Sequence, residues 1–287
     1  MRFLESAALR LAVAPERGEI RSLVHRGSGE ELLFRSPWES SPAPPGAPGA
    51  EAWVAAWPGG WTLLFPNAGN RCTLDGREHG FHGAASLAAW SVVDASATAV
   101  TLAWTDASGL AVRRTVALDG AEVTVATEIE NRAPEPRPYV LVEHLILGAA
   151  LAGPGAHMTA GPARVLRMDD DGAPLGPPEP WPTAADWTVV PDAPFSRFGA
   201  LHDLERQEVR VARGDLAVTL RWSGLPCLWL WHEHRASAEF PLPITALGLE
   251  PASVVSSTGL AQAVADGIAS WLGPGMRATA TAVLAVD

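Results

Sequence analysis

The stretch Glu122-Val123-Thr124-Val125-Ala126-Thr127-Glu128-Ile129-Glu130 sets Val123, Val125 and Ile129 against Glu122, Thr124, Glu128 and Glu130 with period two. Successive side chains of a strand point to opposite faces, so this is a strand with one dry face and one wet face. Leu216, Val218, Leu220 and Trp222 repeat the pattern, as do Val209 and Val211 before them. Val100–Trp104, Tyr139–Val142 and Ala278–Val286 supply three further strand-like runs. Turn formers separate them at short intervals: Asp119-Gly120, Asn131-Arg132-Ala133-Pro134 and Gly214-Asp215. Many strands joined by such turns imply an all-β chain, folded as an antiparallel sandwich or barrel. Helical spacing is confined to residues 259–272, through Leu260, Val264, Ile268 and Trp271, and Gly267 weakens it.

Two stretches, 40–50 and 171–187, are rich in proline and glycine and show no periodicity. Strand patterns of one type continue on both sides of each, so they read as binding loops or lids and not as linkers. No internal repeat is visible. One domain spanning residues 1–287 is the expected organisation.

Composition removes several function classes. The net charge is -11, and a surface that binds phosphate backbones or anionic lipid needs the opposite sign, so no nucleic-acid or membrane partner is expected. All 21 basic residues are arginine. Without a lysine there is no Schiff-base or pyridoxal-phosphate chemistry and no Walker-type phosphate loop. No run of 18 apolar residues occurs, and Glu5 interrupts the start before an apolar leader segment develops, so a cytoplasmic location is expected. Cys72 and Cys227 then read as two small thiols, not as a disulfide.

Polar chemistry concentrates in Phe65-Pro66-Asn67-Ala68-Gly69-Asn70-Arg71, in His79 and Gly80-Phe81-His82-Gly83, and in Trp90. Carboxamides, a guanidinium and imidazoles suit hydroxyl groups, and an indole offers a flat face to the C–H side of a sugar ring. His144 follows the apolar run Val140-Leu141-Val142 and Glu143; an imidazole there is either hydrogen-bonded in the core or lines a cavity. Glu250 ends the apolar run Ile244–Leu249 before Pro251, where partial desolvation would raise its pKa and make it a better base. The spacing His232-Glu233-His234 with Glu239 also permits a metal site, since His232 and His234 share one strand face.

Three segments, in order, resemble the aldose 1-epimerase (galactose mutarotase-like) family. They are Gly60-Trp61 through Asn67 to His82-Gly83 and Trp90; Glu143-His144-Leu145-Ile146-Leu147-Gly148 with Pro154-Gly155; and Leu225-Pro226 to Trp231, followed by Leu247-Gly248-Leu249-Glu250-Pro251 and Leu272-Gly273-Pro274-Gly275. The resemblance implies a large antiparallel β-sandwich, the galactose mutarotase-like supersandwich, with a sugar on its concave face. It implies a small-molecule aldose substrate, with interconversion of α and β anomers and neither metal nor organic cofactor. By the same resemblance Glu250 is the general base and His144 the general acid, and Asn70, Arg71, His82, Trp90, Asp203 and Trp231 contact the sugar. A catalytically silent sugar-binding protein on this scaffold, and a cupin-type metal enzyme using His232, His234 and Glu239, are the competing expectations.

Overall fold

The computed structural model describes residues 1–182 and 187–287. Among them 49% lie in strands and 7% in helices, which settles the class as all-β. Residues 183–186 of the second Pro-rich stretch lie outside the described residues.

Two large sheets carry the fold. The first runs, in spatial order, Arg2–Glu5, Leu9–Ala14, Glu19–His25, Trp61–Leu64, Val142–Leu147, Thr245–Ala252, Cys227–His234, Phe195–His202, Ala163–Met168 and Glu179–Trp181. The second runs His157–Ala160, Glu208–Arg213, Leu216–Ser223, Arg277–Val286, Glu122–Asn131, Leu110–Asp119, Ala99–Thr105 and Ser91–Ala95. Every pairing between neighbours is antiparallel. The period-two strand Glu122–Asn131 sits near the centre of the second sheet and buries Val123, Val125 and Ile129.

Those three side chains join Val209, Val211, Val218 and Leu220 of their own sheet. Leu145, Leu147, Leu228, Leu230, Leu247 and Leu249 of the first sheet belong to the same buried cluster. This is the inter-sheet core, and each such side chain contributes about 1.5–3 kcal/mol by leaving water. The centre of the first sheet is dry on its other face too. Val142, Ile146, Trp229, Ala246 and Ala252 form a second cluster there with Trp53 and Trp57 of the short helix Ala50–Ala56. Strands buried on both faces read as nearly continuous apolar runs, which is why residues 140–149 and 244–249 do not alternate.

The sequence reading needs three amendments. The helical segment is cut to Leu260–Ala265, because Gly267 takes φ +70° and the chain then enters the short strand Ser270–Leu272. The run Tyr139–Val142 is two strands, Arg137–Tyr139 and Val142–Leu147, the second of which carries His144 as expected. The second irregular stretch contains the strand Glu179–Trp181 at the sheet edge, where Pro180 costs no interior ladder bond. Both cysteines are free; burial pushes the Cys227 thiol up to about 12, which leaves it inert.

Candidate functional site

The outer face of the first sheet is organised in rows by strand register. His144 lies opposite Thr62 on one side. On the other, Val142 pairs with Ala252 and Leu145 with Leu249, a register that sets His144 opposite Glu250. Glu250 in turn pairs with Trp229. The next row along is Ile146, Gly248, Trp231 and Phe198, and the one after it contains Ala246, Glu233 and Ser196. Side chains two apart on a strand share a face, so all three rows look the same way. They floor a cavity of about 410 Å³.

His144 and Glu250 form its chemical centre. Nε2 of His144 stands 3.9 Å from Oε2 of Glu250, and both side chains are buried. Burial drives the His144 imidazole down to about 3 and the Glu250 carboxyl well above the usual carboxylate range, because removing water penalises either charge. Gly248 makes room for this carboxylate: a Cβ there would stand 2.3 Å from Oε1 of Glu250. A glycine in a central strand usually marks such a close approach.

His82 completes the centre from the opposite wall. Its Nδ1 accepts a hydrogen bond from the Gly69 N–H at 3.1 Å, which leaves Nε2 as the protonated nitrogen and a donor. Desolvation, with a smaller contribution from His144, lowers its pKa well below the ordinary histidine value, so it is neutral near pH 7. The residue holds φ +60°, a left-handed conformation that presents the ring to Phe81 at 3.9 Å and to Trp53 at 4.6 Å between centroids. Trp53 and Trp57 each meet His144 edge-on, at 5.9 and 5.8 Å. Trp57, Trp229, Trp231, Phe198 and Phe240 line the remaining cavity with flat apolar surface. Asn70 lines its rim and donates to the Asp171 carbonyl at 2.7 Å, tying down the second Pro-rich stretch.

The residues singled out in the sequence thus separate into two groups. His144, Glu250, His82, Asn70 and Trp231 line one cavity. Arg71, Trp90 and Asp203 do not, and the expectation that they share it is corrected. Arg71 points outward to Glu78 at 2.8 Å from the hairpin Cys72–Leu74/Arg77–His79. Trp90 lies in the inter-sheet core, with Nε1 bonded to the Ala85 carbonyl. Asp203 is exposed beyond its strand end, 3.2 Å from Nδ1 of His202.

The proposed metal triad is also taken apart. His232 and His234 face away from the cavity, towards Phe195, and Nε2 of His232 and Nδ1 of His234 lie within hydrogen-bond distance of the Ala152 carbonyl and the Thr245 hydroxyl. Glu239 lines the cavity on the other side. Among the described residues no three His, Cys, Asp or Glu side chains converge as metal ligands.

Sequence reasoning missed Trp53, Trp57 and Glu233. The two indoles stand four residues apart, the spacing of one helix face, but directly follow the Pro-rich stretch. Glu233 was hidden between two histidines that drew attention to the wrong face.

Solved structures with this architecture include a galactose mutarotase-like protein from Lactobacillus casei ATCC 334, at TM-score 0.73 and 16% identity over 100% of both chains. A galactose mutarotase related enzyme from Lactobacillus acidophilus superposes at 0.72 with 15% identity, over 100% of this chain and 97% of that one. A GalM/aldose epimerase homologue from C. elegans gives 0.71 and 13%, over 100% and 98%. At such identities the likeness shows the fold, which is the galactose mutarotase-like sandwich. No curated protein matches the sequence. The family pattern described as a domain of unknown function, DUF4432, matches residues 1–286, and the chain therefore belongs to that family.

Proposed function

We propose that the chain acts as a single sugar-binding domain and an isomerase of the aldose 1-epimerase type, interconverting the anomers of an aldose. The observation that carries this reading is the buried His144–Glu250 pair, 3.9 Å apart, at the floor of an aromatic cavity. Burial penalises the charge on either group, which favours a pair that carries a single proton. A second is accepted only near pH 3, and the last leaves only well above the usual carboxylate range. Ring opening needs that count: one acceptor and one donor.

In the reaction the pair's one proton stands on Nε2 of His144 and Glu250 is the carboxylate. Glu250 takes the proton of the anomeric hydroxyl, the C1–ring-oxygen bond breaks as C1=O forms, and Nε2–H of the His144 imidazolium protonates the ring oxygen. The open chain rotates about C1–C2, and the reverse transfers close the ring on the other face. Ring opening leaves Glu250 protonated and His144 neutral, the charge-free arrangement that a dry site favours. Nε2–H of His82 is placed to donate to a sugar oxygen. Neither transfer requires a metal or an organic cofactor.

Glu250→Gln and His144→Asn test this reading. Each is expected to lower anomer interconversion by at least about 10²-fold, the usual worth of a positioned acid or base, while sugar binding persists. Polarimetry or NMR exchange on fresh α-anomers reads the rate, and fluorescence of the four indoles at positions 53, 57, 229 and 231 reads binding. Wild-type protein that binds aldoses without exceeding the spontaneous rate would replace the enzyme by a sugar-binding protein.

A further inference from the structure

The end of the cavity remote from His144 and Glu250 carries chemistry that ring opening does not use. Glu233 is 1% exposed. Its Oε1 accepts the N–H groups of Ala236 at 2.6 Å and Ser237 at 3.0 Å, whereas its Oε2 is buried without a hydrogen-bond partner. A buried carboxylate oxygen left without a donor is costly unless something fills the place. Glu239 and Asp170 line the same cavity, near enough that Asp170 and Glu233 both act on the Glu239 carboxyl. Crowding by Asp170, Asp171 and Glu233 adds to desolvation in raising the Glu239 carboxyl, so these acids repel one another. Three rings stand among them: Trp231 lies 6.3 Å from Trp57 and 5.7 Å from Phe240. Among the described residues no arginine lines the cavity, and the chain has no lysine. Acidic oxygens beside aromatic faces suit a cation, since the ring faces attract positive charge as well.

Strand register gives its distance from the reactive pair. Glu250 lies opposite Trp229, and Glu233 is four residues further along that strand, about 13 Å at the strand rise. One pyranose ring, with a hydrogen bond of about 2.8 Å at each end, spans such a length.

We propose that this end is a subsite for an ammonium group, held by Glu233 and Glu239, so that the substrate is an aldose bearing a free amine on the side of the ring away from the anomeric carbon. The inference rests on the aldose reading of the site and adds its selectivity. A phosphate or carboxylate at the same end of the sugar meets only negative charge and is refused.

The test compares glucose, 3-amino-3-deoxyglucose, 6-amino-6-deoxyglucose and glucose 6-phosphate as substrates, and the methyl glycosides of the same four as non-reacting ligands. Amino aldoses are expected to exceed glucose by about tenfold or more in kcat/KM and in glycoside affinity, and the phosphate to fall below it. Glu233→Gln keeps the shape and an acceptor oxygen for the two backbone N–H groups, and should lower the amino-to-glucose ratio about tenfold, as expected when a charge-assisted bond becomes a neutral one. Glu239→Gln, at an exposed position with no fold to upset, should lower the ratio in the same direction, and so should raised salt. A ratio near one in the wild type, or a ratio unchanged in both variants, overturns the subsite even if glucose is interconverted. Preferential binding of the amino glycosides with no acceleration of any aldose upholds the subsite and removes the isomerase reading instead.

Discussion

Glu143 and Glu250 are both almost wholly buried, on neighbouring strands of one sheet, and the fold treats them in opposite ways. Glu143 faces the inter-sheet core and is saturated. Arg114 donates to its Oε1 at 2.7 Å, the Thr127 hydroxyl donates to the same oxygen at 2.7 Å, and the Trp61 indole donates to Oε2 at 2.9 Å. Glu250 faces the cavity, and among the described residues its nearest basic group is His144 at 3.9 Å, beyond hydrogen-bond length. A buried carboxylate with a full set of donors serves the structure. One without them is left ready to exchange a proton. Burial alone therefore does not distinguish a structural acid from a reactive one; its partners do.

The largest effect expected from breaking this contrast lies on the structural side. Arg114→Ala leaves Glu143 buried without its cation and should cost about 3–5 kcal/mol of stability, read by chemical denaturation. A loss within the ordinary surface range would mean that the pair is dispensable. On the reactive side, Gly248→Ala forces a methyl group against Oε1 of Glu250. It should reduce anomer interconversion about 10- to 100-fold with far less effect on binding, the pattern of a misplaced catalytic group.

The pH profile sharpens the account further. His144 sits at about 3, so the second proton joins the pair only in strong acid, and the rate should hold level from neutrality down past pH 5. Loss of the last proton from Glu250, raised by burial, should lower the rate on the alkaline side. These two limits belong to the pair as a unit. A descending limb centred near 6.5, the ordinary histidine value, would show an exposed imidazole instead.

The smallest effect concerns stability. The folded pKa of Glu250 is raised, so its contribution is present below the unfolded carboxylate value and is lost as pH rises towards the folded one. Glu250→Gln removes that penalty and should stabilise the fold above about pH 5 by about 0.5–2 kcal/mol, the usual size of a stabilising substitution.

The strands were legible because period-two alternation reports one buried face directly, as in Glu122–Asn131. His144 and Glu250 were legible as residue types in odd company, polar groups within apolar runs. Their meeting was not, since it depends on the register between strands about a hundred residues apart in sequence. Arg71 and Trp90 misled for the converse reason. Each is close in sequence to Asn70 and His82, yet a two-stranded hairpin carries Arg71 outward and the core claims Trp90. The helix bearing Trp53 was masked by the prolines before it. Glu233 was unreadable because the face of a strand residue is fixed by its neighbours' register, not by its own identity.

The most direct test of the contrast measures stability and anomer interconversion on Glu250→Gln and Glu143→Gln side by side. The account predicts that Glu250→Gln loses at least about 10²-fold in interconversion with stability unchanged or raised, and that Glu143→Gln loses stability, with Arg114 left short of a counter-charge. Interconversion at the wild-type rate in Glu250→Gln, or a loss of stability as large as that of Glu143→Gln, would contradict it.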